Sequence, residues 1–205
     1  MNVLVDAPAN PRACYVLAHG AGAGMTHPFM AAVAAGLAER GIAVVRYNFP
    51  YMENGSKRPD VPKVAHAAVR EAVQEAAARF PGIPLYAGGK SFGGRMTSQA
   101  QAESPLPGVR GLAFIGFPLH PPGKPSDDRA DHLANVKVPM LFLQGTRDEL
   151  ANLEWLVPLI PRLGENAKLE ILEGADHSFH VPARSGRKDP EVLAEMLDHL
   201  AAWIA

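Results

Sequence analysis

The sequence has one cysteine, Cys14, in 205 residues. An internal disulfide and a multi-cysteine zinc site are therefore both excluded. No long uninterrupted apolar run occurs, so no membrane-spanning helix and no membrane association is expected. An excess of either charge is also missing: 20 Lys and Arg stand against 21 Asp and Glu, a net charge of −1. That balance offers no electrostatic footprint for nucleic acid or an anionic lipid surface. The first residues, MNVLVDAPANPRA, carry neither a basic segment nor a long apolar stretch, so the expectation is a chain without a signal peptide, working in the cytoplasm. The 19 glycines and 19 prolines are scattered rather than periodic, which excludes a fibrous or low-complexity chain. Hydrophobic residues at 47% and charged residues at 20% suffice for a full core, and the length suits one domain over residues 1–205.

Short apolar runs alternate with helical patterns along that domain. Strands are expected at residues 14–18, 42–47, 83–87, 109–115, 138–143 and 168–172, with a short one at 2–5. Most of these runs are continuous rather than alternating, as in parallel strands buried on both faces. Helices are expected from Pro28 to the stop at Gly41, over residues 63–80 and 92–103, and from Asp189 as N-cap with Pro190 first in the helix. This alternation predicts an α/β domain with a mostly parallel sheet of six to seven strands and helices on both faces. The segments 48–62 and 116–135 are rich in Pro, Gly and polar residues and follow strands. They should lie at the carboxyl ends of the sheet, where such folds bind ligands.

The sharpest local signal is Gly89-Lys90-Ser91-Phe92-Gly93, a G-x-S-x-G sequence between a strand and a helical pattern. That context is what a nucleophile elbow requires: a tight turn with nearly bare neighbours that lifts a serine hydroxyl above the sheet. The new helix then aims its amino end at developing negative charge. The serine needs a base, and the base needs an orienting acid. His177 follows the last expected strand, with His180 as its rival. His19 suits a packing role, His27 a helix start, and His66, His132 and His199 a surface or helical setting, while His120 lies in the second pocket loop. Asp148 follows the strand VPMLFL, which gives the order Ser…Asp…His. Asp176 is too near His177 in sequence to orient its ring, Glu149 should point elsewhere, and Asp127, Asp128 and Asp131 belong to a solvated loop.

An oxyanion site needs backbone N–H donors. One is expected from Phe92 and the second from Ala21 or Gly22, in the glycine loop after CYVLA. That loop does not match a dinucleotide fingerprint, because Met25 or His27 stands where the third glycine belongs and Arg46 and Asn48 stand where an acid belongs. GGKS likewise lacks the first half of a phosphate-binding loop. No metal and no organic cofactor is expected.

With HGAGAG, GKSFG, GTRDE and GADHSF in this order, the sequence resembles the α/β-hydrolase superfamily. The combination of HGAGAGMTHPFM, YNFPYM, GGKSFGGRM and GTRDEL resembles its compact dienelactone-hydrolase-like branch. The resemblance implies Ser91 as nucleophile, His177 as base and Asp148 as orienting acid. Dienelactone hydrolases use a cysteine nucleophile where this chain has serine, and the stretch between the strands 109–115 and 138–143 leaves no room for a lid domain. The implied activity is a serine esterase acting on a small soluble ester or thioester. A catalytically silent binding protein, or an acyltransferase or perhydrolase using the same residues, are the alternatives. Tyr51, Met52, Phe117, Leu119 and Phe179 are expected either to line an apolar acyl pocket or to pack between loops. Lys90 and Arg95 flank the serine, either favouring an acidic substrate or pairing with surface carboxylates. The apolar stripe of the last helix serves the core of a monomer or the seam of a homodimer.

Overall fold

The computed structural model describes residues 1–204; residue 205, the last of the expected domain, lies outside the described residues. Seven strands form one sheet: β1 (Val3–Asp6), β2 (Ala13–Ala18), β3 (Ile42–Tyr47), β4 (Leu85–Lys90), β5 (Val109–Ile115), β6 (Met140–Gly145) and β7 (Ala167–Leu172). Their order is β1-β3-β2-β4-β5-β6-β7. β1 runs antiparallel to β3, and every other pair is parallel. The helices are α1 (Pro28–Glu39), α2 (Pro50–Glu53), α3 (Pro62–Arg79), α4 (Phe92–Glu103), α5 (Leu153–Arg162) and α6 (Asp189–Trp203).

The apolar strands are buried on both faces, and their side chains divide by the two-residue period of a strand. Val16, Val45, Phe114 and Phe142 meet α3, α4 and α5 on one face, whereas Tyr15, Val44, Ile115 and Leu143 meet α1 and α6 on the other. Phe114 and Phe142 are fully buried with ring centroids 4.9 Å apart, and truncating either should cost about 3–5 kcal/mol.

Several expectations shift in detail. β4 begins two residues later than expected and runs through Gly88, Gly89 and Lys90 up to the serine. α5 was not expected: Asn152 caps it by accepting from the Glu154 N–H, but Pro158 and Pro161 lie inside it and blur its pattern, since proline removes helix donors. The expected loop 48–62 contains α2, and residues 128–135 of the second loop form a 3₁₀ helix. Between β5 and β6 there is only this loop and 3₁₀ helix, without a lid domain. Asp189 is the first helical residue of α6 rather than its cap. Its carboxylate accepts instead from the Val181 N–H and pairs with His180.

The parallel register levels the strand ends that matter. Ala18 lies opposite Gly89, Gly89 opposite Phe114, Phe114 opposite Phe142, and Gly145 opposite Leu172. The chain therefore leaves β2, β4, β6 and β7 on one edge of the sheet, and the segments that follow converge there.

Candidate active site

Ser91 stands between β4 and α4 with φ 48° and ψ −115°. This is a conformation that a side chain other than glycine rarely adopts, costing about 1–3 kcal/mol, and such strain gathers at functional sites. The turn is possible because its neighbours are bare. A Cβ on Gly89 would lie 2.3 Å from the Ala18 carbonyl oxygen, and one on Gly93 would lie 2.6 Å from that of His19. The Phe92 N–H is the first of α4 and has no acceptor within the helix.

Three side chains meet across this edge. The His177 Nε2 lies 2.8 Å from Ser91 Oγ, and its Nδ1 lies 2.7 Å from Asp148 Oδ2. With a carboxylate on one side, Nδ1 carries the proton and Nε2 is left to accept from the hydroxyl. Asp148 is 5% exposed, so it must be fully hydrogen-bonded to remain charged. Its Oδ1 accepts from the Leu150 N–H at 2.8 Å, and its Oδ2 also accepts from Gln144 Nε2. Gln144 is itself buried, and its Oε1 accepts from the Phe117 N–H at 3.1 Å. Gln144 has no place in the sequence motif, and the one signal for it is a polar residue closing the apolar run VPMLFLQ.

The turn that presents His177 is held by Asp176, whose Oδ1 accepts from the Ser178 and His180 N–H groups. His180, the rival base, is directed instead to Asp189 at 2.8 Å, and this exposed pair raises its pKa. His19 is buried; Nδ1 donates to the Gly20 carbonyl and Nε2 accepts from the Phe49 N–H. Burial lowers its pKa and favours the neutral ring those partners need. His120 is engaged in the same way, donating to the Pro121 carbonyl and accepting from the Asn152 N–H. His27 caps α1 through the Phe29 N–H.

The glycine loop after β2 is fastened to the segment after β3. The Gly22 N–H donates to Tyr51 Oη at 3.3 Å, and the Met25 N–H to Asn48 Oδ1 at 2.8 Å. The Ala21 N–H makes no hydrogen bond among the described residues.

A cleft of about 370 Å³ opens over Ser91 and His177, with apolar walls from Ala21, Ala23, Phe29, Met30 and Leu150. None of Tyr51, Met52, Phe117, Leu119 and Phe179 belongs to its lining. Tyr51, Phe117, Leu119 and Phe179 are at most 3% exposed, and Met52 packs against the same core. Those aromatics are core, because the loops that carry them fold back over the sheet. Tyr51 and Phe49 pack edge-on against Phe92, and Phe117 against Phe114 and Phe142. Lys90 and Arg95 form no ion pair with a surface carboxylate among the described residues, and the buried Nζ of one and Nε of the other lack hydrogen-bond partners. No group of His, Cys, Asp and Glu suited to a metal occurs among the described residues, nor does a helix long and apolar enough to cross a membrane.

Solved structures share this architecture. An alpha-beta serine hydrolase homologue from Coxiella burnetii is 19% identical, with a TM-score of 0.77 over 99% of this chain and 91% of that one. A lid-less a/b serine hydrolase from Xanthomonas campestris is 23% identical, with a TM-score of 0.75 over 98% and 88%. A dienelactone hydrolase from Anabaena variabilis is 20% identical, with a TM-score of 0.74 over 98% and 89%. At these identities the likeness concerns the fold. The sequence pattern of the alpha/beta hydrolase domain family matches residues 11–205, nearly the whole chain, and the protein belongs to that family.

Proposed function

We propose that the protein is a serine hydrolase that cleaves a small ester or thioester through an acyl-enzyme. The observation that carries this reading is the unbroken line from Asp148 through His177 to Ser91, ending on a hydroxyl held in a strained turn. Ser91 Oγ attacks the carbonyl carbon while His177 Nε2 takes the hydroxyl proton. Asp148 keeps the ring in the right tautomer and stabilises the imidazolium as it forms. The negative charge moves onto the carbonyl oxygen, which the Phe92 and Ala21 N–H groups receive; Ala21 is preferred over Gly22, whose N–H is already given to Tyr51. The intermediate then collapses, the bond from its carbon to the leaving oxygen or sulfur breaks, and the imidazolium gives its proton to that departing atom, releasing the alcohol or thiol and leaving the acyl-Ser91 ester. Water, deprotonated by the same His177, attacks the acyl-Ser91 ester, and the collapse of that intermediate releases the acid and restores the hydroxyl.

The 370 Å³ cleft lies at the small end of ligand sites, and nothing between β5 and β6 covers it. Both features favour a short acyl group over a lipid chain. We read residues 1–205 as one domain carrying this activity in the cytoplasm without a cofactor. The test is hydrolysis of p-nitrophenyl acetate and of an acetyl thioester by the wild type and by Ser91→Ala. Turnover that falls to background in the variant is the expected result. No turnover by folded wild type, or undiminished turnover by Ser91→Ala, overturns the reading.

A further inference from the structure

Lys90, the residue before the nucleophile, is out of place for a lysine. Its stem is half-buried along the cleft, and its Nζ is buried without a hydrogen-bond partner. An ammonium out of water is costly unless acceptors replace the solvent. The described residues supply none within hydrogen-bond distance. Asp148 and Asp176 are the carboxylates near enough to act on it. Asp148 spends both oxygens on His177, Gln144 and Leu150, and Asp176 Oδ1 is given to Ser178 and His180. The partial substitute is the Phe179 ring, whose centroid lies 5.7 Å from Nζ, a weak attraction compared with a hydrogen-bonded carboxylate. Nζ rests beside Gly116, where a Cβ would lie 3.2 Å from it and 3.5 Å from the His177 ring, so Nζ sits close to the backbone next to the base.

Among the described residues, the lining of the cleft contains no Asp or Glu, and Lys90 is the one lysine or arginine in it. The walls are small or apolar, and Phe29 among them stacks on Phe179, so the ring that shelters Nζ adjoins the cleft wall. Lys90 itself lines the cleft, and a lysine carries its ammonium on a flexible four-carbon stem. Because Lys90 and Ser91 are adjacent, an acyl group bonded to Ser91 stays within one lysine's reach through both halves of the reaction.

We propose that Lys90 determines specificity in the hydrolase described above, on which this inference rests, by receiving a carboxylate on the acyl part of the substrate. The substrate class is a short dicarboxylic acid esterified or thioesterified at one end. Burial pushes the Lys90 ammonium down to about 8 against the opposing pull of Asp148 and Asp176, so at pH 7 most of it carries the charge this role needs.

The test compares matched esters at pH 7: monomethyl glutarate with methyl pentanoate, and monomethyl adipate with methyl hexanoate. Hydrogen bonds to a charged partner predict that kcat/KM favours the anionic member of at least one pair by about ten- to a hundredfold. That ratio should fall to about one in Lys90→Met and be partly kept in Lys90→Arg. Because the readout is a ratio, a general loss of activity in a variant does not imitate the result, and the wild-type ratio stands even if a variant does not fold. A wild-type ratio at or below one in both pairs, or a ratio unchanged in Lys90→Met, overturns the proposal. Labelling of Ser91 by a fluorophosphonate in the same preparations separates the two levels of failure. Labelled protein that cleaves the neutral esters without preference, or none of the four, overturns this substrate class alone. Unlabelled, inactive protein overturns the hydrolase reading and this proposal with it.

Discussion

Gln144 gives the most exacting check on how the site is built, because its two ends serve different partners. The buried carboxamide donates to Asp148 Oδ2 and accepts from the Phe117 N–H at 3.1 Å. Replacement by leucine, of similar size, removes both bonds. Losing a bond to a charged carboxylate costs about 1.5–3 kcal/mol, and orphaning a buried N–H costs about 1–3 kcal/mol. The leucine regains part of this by burying apolar surface, about 1–2 kcal/mol. The net loss should centre on about 3 kcal/mol, or a fall in Tm of roughly 6–12 °C for a chain of this size. Asp148 also loses one of the donors that fix it, and kcat should drop by about tenfold. Gln144→Glu separates the two functions. It keeps an acceptor for Phe117 but sets a second carboxylate against Asp148, so one of the two must hold a proton. The pKa of the introduced carboxyl is then raised above its unfolded value. Its stabilising contribution is full at low pH and is lost as pH rises through the folded value. Urea denaturation of the three proteins at pH 5 and pH 8 reads both effects. The reasoning is refuted if Gln144→Leu stays within about 0.5 kcal/mol of wild type, or if Gln144→Glu follows wild type in parallel across the two pH values.

Other outcomes follow from the same contacts. Ser91→Gly should be more stable than Ser91→Ala by about 1 kcal/mol, since glycine relieves the strain at φ 48° less its own entropic cost; equal urea midpoints would deny that strain. His132 lies 2.7 Å from Ser98 Oγ, and burial, helped by Arg95 and His66, pushes its pKa down to about 4. The folded state therefore holds it neutral, and the stability it contributes is full above about pH 6.5, where the unfolded ring loses its proton, and is lost as pH falls toward 4. His132→Gln should flatten the acid side of the stability profile, and an unchanged slope in urea melts would count against this. Asp148→Asn should lower kcat by about 10³–10⁴-fold, as a wrong tautomer does in Ser-His-Asp triads, and activity retained within tenfold would remove Asp148 from the proposed relay.

The parts of the fold legible in the sequence were those written in periodic or steric patterns. Continuous apolar runs gave β2, β3, β5 and β6 to within a few residues, because parallel strands bury both faces. The elbow was legible because Gly89 and Gly93 admit no side chain where the chain crosses β2. Asp148 and His177 were legible because each follows a strand whose end the topology brings level with Ser91. The cleft was not legible. Phe117 and Leu119 look like pocket residues in a Pro- and Gly-rich loop, yet both are fully buried, and Met30 and Leu150 form the wall instead. Loop composition does not encode which way a loop folds. α5 was hidden by its two internal prolines, and the Asp189 carboxylate by a partner, His180, outside its own helix.

The proposed function requires that the elbow make Ser91 a nucleophile activated by His177. Its most direct measurement is intact mass after exposure to a fluorophosphonate at neutral pH, with wild type, Ser91→Ala and His177→Ala in parallel and the adduct located by peptide mapping. The expected result is one adduct per wild-type chain on Ser91, none on Ser91→Ala, and labelling of His177→Ala slowed by orders of magnitude. Folded wild type that takes no adduct, or an adduct that persists in Ser91→Ala, would contradict it.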